Sequence, residues 1–224
     1  MASFSLSSVY QLIEDKKFSY KFLIFGLLIQ VIAFILSSDP VLAFISGLAG
    51  VVSVVQCSEK KLTFYLWGFL QLFTFLALAI QENLYAKVVE NVFYLITMII
   101  GLFIWSRNKE KTDDGISVVK PKKLPVNFLG GIISSLIILI CCSTCILSAS
   151  NDSQPFMDSL TTLPAIAAQI LMISGYKEQW YFWGFVDVLS IVLWAIAGNY
   201  CMVAQYIFWT LNCVYGYLIW KKEK

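Results

Sequence analysis

Trp180, Trp183 and Asp187 stand at i, i+3 and i+7, a spacing that places two indoles and a carboxylate on one face of a helix. Indole faces attract cations and stack planar rings, while a desolvated carboxylate favours positive charge or sugar hydroxyls, so this stripe suits a flat cationic ligand. Glu90 is a second acid in an apolar run, and Gln71, Asn91, Gln169 and Asn212 add amides at comparable depth. Tyr94 and Trp209 lie one turn from Glu90 and from Gln205, in position to line the same cavity. Each reading has a plainer rival. Trp180 also suits an aromatic belt, the amides suit hydrogen bonding between helices, and Tyr94 and Trp209 suit simple packing. Asp187 has the least to recommend a purely structural role, because an ion pair would need a deep lysine or arginine and the apolar runs contain none.

Other chemistries drop out. The 224 residues include no histidine, which excludes serine-histidine triads and zinc-histidine sites. Cys141-Cys142-Ser143-Thr144-Cys145 lacks the spacing of a soft-metal site, and thiols in apolar runs behave as small hydrophobes, so no metal or other cofactor is expected. A formal charge of +2 gives no reason to expect a nucleic-acid partner.

The elements that must position these residues are membrane spans. With 59% hydrophobic and 13% charged residues, the chain has too little polar surface to coat a soluble domain. Apolar stretches of spanning length run approximately over 21–38, 40–56, 62–80, 86–106, 127–148, 157–175, 179–197 and 200–220, which predicts an all-α bundle of eight spans. With the N-terminus inside, fifteen of the 16 basic residues fall in inside segments and only Lys87 falls outside. Both termini are therefore expected in the cytoplasm of a multi-pass plasma-membrane protein. Residues 107–126, with Asp113-Asp114-Gly115 and Lys120-Pro121-Lys122-Lys123, read as a solvated cytoplasmic linker, and Asn151-Asp152-Ser153 carries no weight as a glycosylation acceptor.

The chain also matches itself. A shift of 116 pairs Tyr65, Trp67, Gly68, Phe69, Ala79, Ile80 and Asn83 with Tyr181, Trp183, Gly184, Phe185, Ala195, Ile196 and Asn199. After a one-residue gap, a shift of 115 pairs Tyr85, Val88, Phe93, Gly101, Ile104 and Trp105 with Tyr200, Val203, Phe208, Gly216, Ile219 and Trp220. Two three-span repeats follow, at 40–106 and 157–224, separated by a linker and connecting span in 107–156 and preceded by an extra N-terminal span in 1–39. Because three spans reverse the chain's direction, the connecting span restores a parallel orientation to the two copies. Parallel repeats about an axis along the membrane normal are a transporter architecture, with substrate held near the midplane.

The run Trp180-Tyr181-Phe182-Trp183-Gly184-Phe185-Val186-Asp187 resembles the PnuC family of bacterial nicotinamide riboside transporters. Leu84-Tyr85-Ala86, Phe93, Gly101, Trp105, Gln169-Ile170-Leu171-Met172 and Glu178-Gln179-Trp180 extend the resemblance over most of 40–222. The family pattern Trp-x-x-Trp-x-x-x-Asn is met at Trp180 and Trp183 but ends here in Asp187. That family is similar in fold to the SWEET sugar transporters, with two three-helix bundles and a linking helix. The resemblance implies uptake of the vitamin B3 precursor for NAD biosynthesis by facilitated diffusion with alternating access, followed by trapping through a cytoplasmic kinase. It gives no oligomeric state and leaves room for a homo-oligomer. Thiamine, another vitamin with a fixed cationic ring, is the alternative cargo. An intramembrane enzyme using Glu90 and Asp187 as a carboxylate pair, or a non-transporting sensor, would be a different class.

Overall fold

The computed structural model describes residues 15–37, 40–81, 85–111, 117–149, 154–196, 198 and 200–221. Asp39, Asn83, Leu84, Asp113-Asp114-Gly115, Asn151-Asp152-Ser153 and Asn199 lie outside the described residues, as do Lys222 and Lys224. Within them, the apolar runs form eight α-helices: α1 (Lys16–Leu36), α2 (Val41–Ser58), α3 (Phe64–Gln81), α4 (Tyr85–Arg107), α5 (Val126–Ala149), α6 (Pro155–Ile173), α7 (Gln179–Ile196) and α8 (Tyr200–Lys221). Seven of them are long and apolar enough to cross a membrane. The exception is α8, whose 22 residues suffice in length but include Gln205, Asn212 and several tyrosines and tryptophans, residues that lower mean hydropathy. Every predicted span thus corresponds to a helix. The largest shift is at α1, which begins at Lys16 because Asp15 caps it, its side chain accepting from the Lys17 amide at 2.9 Å.

Helix α2 packs on α3 and α3 on α4; α6 packs on α7 and α7 on α8. The two triples meet through α2 against α8 and α4 against α6. Helix α1 lies on α2 and α8, while α5 lies against α6 through Leu129, Ile132 and Leu136 and has no fully buried residue. Outward-facing Leu66, Phe73, Val89, Phe103 and Ile137 supply the apolar surface that hydrocarbon solvates.

Each helix of the second triple starts close to 115 residues after its counterpart: Phe64 and Gln179 open α3 and α7, and Tyr85 and Tyr200 open α4 and α8. The helix boundaries keep the 115 offset throughout α3 and α7, whereas the Trp-Gly-Phe strings are 116 apart, so string and helix disagree by one residue, or about 100° of rotation. The turns between paired helices also correspond. Lys60 and Gly175 both take left-handed backbone, with φ of 62° and 78°. Lys60 donates to the Cys57 carbonyl at 2.9 Å as Gly175 does to Met172 at 3.0 Å.

Part of the linker expected to be solvated is ordered against these turns. Strands β1 (Lys109–Lys111) and β2 (Ser117–Val119) form an antiparallel hairpin, with Lys109 opposite Val119. Val119 is buried and its amide donates to the Lys60 carbonyl at 2.9 Å. Lys122 donates to the Gly175 carbonyl at 2.7 Å and accepts from Lys177 at 3.0 Å, and the Leu124 amide donates to the buried Glu178 carboxylate at 3.0 Å. The linker's lysines conceal two apolar anchors, Val119 and Leu124, that seat it on the bundle. Ser19 of α1 reaches Glu59 at the same end. Lys60, Lys61, Lys120, Lys122 and Lys177 are thereby gathered at one end of the molecule.

That end is closed by aromatic rings. Trp105 and Trp220, 115 residues apart, are both fully buried, with ring centroids 5.8 Å from each other. The Trp105 indole donates across the molecule to the Met172 carbonyl at 3.1 Å. Trp220 returns the bond, donating to the carbonyls of Cys57 at 3.3 Å and Ser58 at 3.1 Å. Phe64, Tyr65 and Trp180 pack around the pair.

Candidate functional site

Above this plug a cavity of about 660 Å³ separates the two triples. Its wall comes from α2, α3 and α4 on one side and from α6, α7 and α8 on the other, while α1 and α5 contribute no lining residue. It extends from exposed Gln154 and Asp158, where α6 begins, to buried Phe64, Gln179 and Trp180 next to the plug.

Nine of the ten residues singled out by sequence face this one space. Trp180, Trp183 and Asp187 form a continuous stripe along α7. Asp187 is buried and accepts from the Cys213 thiol at 3.3 Å. Trp180 meets Trp220 edge-on at 86°, and its indole N–H is buried with no hydrogen-bond partner among the described residues. From the facing triple come Gln71, Glu90 and Tyr94; Tyr94 lies one turn after Glu90 and hydrogen-bonds with it. Gly50 makes room for the Gln71 amide, since a Cβ there would stand 2.9 Å from Nε2.

The amides are held differently. Gln169 donates to Thr97 at 3.0 Å, and Asn212 donates to the Val54 carbonyl at 3.3 Å while accepting from Ser58 at 3.1 Å. Both therefore join the two triples as well as lining the cavity. Trp209 stands at 78° to Tyr206, 5.0 Å between centroids, with its indole N–H buried and unbonded among the described residues. Asn91 is the exception. It is buried in α4 but about 100° around the helix from Glu90, and it is not on the cavity wall.

Several wall residues escaped the sequence reading. Asp158 falls at the start of an apolar run, where a surface acid is commonplace. Tyr206, Trp194, Thr161 and Thr162 gave no signal apart from helix face. Gln179 abuts the tryptophan motif in sequence and, as the first residue of α7, is fully buried. The wall carries Glu90, Asp158 and Asp187 and, among the described residues, no lysine or arginine. Its character is aromatic, amide-rich and negative, suited to a planar cation with hydroxyl or amide substituents.

Long apolar helices arranged in two triples around a solute-sized polar cavity define a multi-pass membrane transporter. Comparison with known proteins gives the family. The profile of the nicotinamide mononucleotide transporter family matches residues 40–222. The nicotinamide riboside transporter PnuC of Haemophilus influenzae is 35% identical over 213 residues, covering 92% of this chain and 91% of that one. Its namesake from Neisseria mucosa is 27% identical over 202 residues, covering 87% and 77%. A crystal structure of the vitamin B3 transporter PnuC superposes with a TM-score of 0.80 at 26% identity, covering 97% of both chains. The chain belongs to the nicotinamide mononucleotide transporter family and is a multi-pass protein of the inner membrane.

Proposed function

We propose that this protein imports nicotinamide riboside by facilitated diffusion. The observation that carries the reading is the α7 stripe of Trp180, Trp183 and Asp187 in a cavity that has no lysine or arginine among its described lining residues. The family description names the mononucleotide and the relatives' names give the riboside; the two ligands differ by one phosphate. A phosphate in this cavity would meet three carboxylates and no lysine, arginine or histidine among the described residues, a like-charge arrangement that disfavours it. The riboside keeps the cationic ring without that penalty. Trp180 and Trp183 would stack the pyridinium, Asp187 would hold ribose hydroxyls, and Gln71, Glu90, Asn212 and the Tyr94 and Trp209 polar groups would complete the shell.

Transport would proceed by alternating access, with two parallel three-helix repeats rocking against each other as in a SWEET-like carrier. Support for the repeat comes from the 115-residue offset of the helix starts and from the reciprocal Trp105 and Trp220 bonds, each crossing from one triple to the other. With both termini cytoplasmic, the lysine-rich end is the inner end, the aromatic plug is the inner gate, and the cavity faces outward. Trapping by a cytoplasmic kinase would make uptake unidirectional without any coupling ion.

The test is calorimetric titration of detergent-purified protein with nicotinamide riboside, its mononucleotide and thiamine. The riboside should bind, with the mononucleotide weaker by at least about tenfold, equivalent to ~1.4 kcal/mol. Tight thiamine binding that the riboside does not displace would reassign the cargo.

A further inference from the structure

Gln179 is the least explained residue of the cavity. It is completely buried, yet neither its Nε2 nor its Oε1 has a hydrogen-bond partner among the described residues. Buried amides are nearly always satisfied, and one that is not requires a reason. The residue at the corresponding place, Phe64 at the start of α3, lines the same floor with a ring that asks for no partner. A hydrocarbon is therefore compatible with this place in the fold, whereas the second triple puts an amide there with donor and acceptor both idle. Its sequence neighbour Trp180 adds an idle indole N–H on the same floor.

Position along α7 supplies the rest. Gln179, Trp183 and Asp187 are spaced i, i+4 and i+8 and all line the cavity. At 1.5 Å per residue they are about 6 Å apart along the axis, roughly one turn each. Resting on the proposed riboside reading, an aromatic ring stacked at Trp183 would have its substituents one turn away on either side. On one side stands a carboxylate, a partner for hydroxyls. On the other stands a free primary amide, whose best complement is another primary amide, because the pair exchanges N–H···O=C bonds in both directions.

We propose that Gln179, assisted by the Trp180 indole, recognises the substrate's carboxamide, and that the ligand lies along α7 with its carboxamide toward the aromatic plug and its ribose toward Asp187. A carboxylate at that point would offer no N–H to Gln179 Oε1 and would enter a cavity that already carries three acids. Gln179 is thus the residue that selects the amide over the acid form of the vitamin.

The test compares two probes on two proteins by calorimetry. The probes are nicotinamide riboside and N-ribosylpyridinium, which lacks only the carboxamide; the proteins are the full chain and Gln179→Leu, each checked for a monodisperse elution profile. The full chain should favour nicotinamide riboside by at least tenfold, and Gln179→Leu should reduce that preference to within about threefold while holding N-ribosylpyridinium as tightly as before. Equal weakening of both probes by Gln179→Leu would overturn the assignment, since that is what a merely structural glutamine gives. If Gln179→Leu elutes as aggregate, Gln179→Met replaces it: it keeps the unbranched shape and removes both the amide donor and the amide acceptor, and an unchanged preference would likewise overturn the proposal. Failure of the unmodified chain to bind either probe refutes the underlying riboside reading and is distinguishable from both.

Discussion

Replacing Trp105 and Trp220 together with phenylalanine should open the lysine-rich end without destroying the cavity. Phenylalanine preserves an aromatic ring at each place but has no N–H, so the bonds to Met172 and to Cys57 and Ser58 are lost. A neutral hydrogen bond contributes about 1 kcal/mol net, so two lost donors amount to ~2 kcal/mol, or about 30-fold in the closed-to-open ratio of the plug. A resting ratio of about 99:1 would become about 3:1, raising the open fraction roughly 20-fold while the closed fraction falls by only about a quarter. Accessibility and affinity should therefore separate. Cys57, buried beside Trp220, is the reporter, in a background where Cys141, Cys142, Cys145, Cys201 and Cys213 are alanine. A charged maleimide added to inside-out vesicles should label it about 20 times faster in the double variant, with the dissociation constant for nicotinamide riboside changed by less than about twofold. Unaltered labelling of folded double variant would refute the gate, because the indole bonds would then be ordinary packing detail.

Three further outcomes follow from the geometry. Asp187→Leu should weaken riboside binding by about 10- to 100-fold, the ~1.5–3 kcal/mol of a hydrogen bond to a charged group, whereas Asp187→Asn, which restores the family's residue, should stay within about tenfold; calorimetry reads both. Trp183→Ala should reduce affinity by at least about tenfold, in keeping with the ~2 kcal/mol of a desolvated cation–π contact, and should quench any ligand-dependent change in tryptophan fluorescence. Gly216→Ala should lower the thermal midpoint in detergent, because a Cβ there would stand 2.5 Å from the Trp180 ring and 2.8 Å from Ser58 Oγ, an overpacking worth about 1–3 kcal/mol. Gly184→Ala is the control: its nearest neighbour would be Cys213 Cβ at 3.6 Å, and the midpoint should hold.

The spans were legible in the sequence because hydrocarbon imposes a length and a composition that few other environments require. The hairpin after α4 was not, since three-residue strands leave no periodicity and the anchoring of Val119 depends on the Lys60 carbonyl, a partner remote in sequence. Depth alone could place Asp187 and Gln169 in a polar core. It could not separate Glu90, which lines the cavity, from Asn91, which does not, because that distinction is an angle about α4. Gln179 carries no such signal, because burial of a helix's first residue is decided by tertiary packing rather than by sequence period.

Under the proposed duplication, positions 115 apart divide into two kinds. Those that close the lysine-rich end stay alike: Trp105 and Trp220 both bond across the triples, and Gly101 and Gly216 both admit a large ring, a Cβ at either standing 2.5 Å from Tyr65 or Trp180. Those that face the cavity differ: Phe64 against Gln179 and Met98 against Cys213. A gate between two like halves works best when both halves present the same bond, since rocking then makes and breaks equivalent contacts. A ligand with a carboxamide at one end and a ribose at the other has no such symmetry, and a wall that bound it with identical groups on both sides would leave one end unmatched. The residues that drifted from their counterparts are thus the ones to read for substrate identity, and among them Gln179 carries the polar difference.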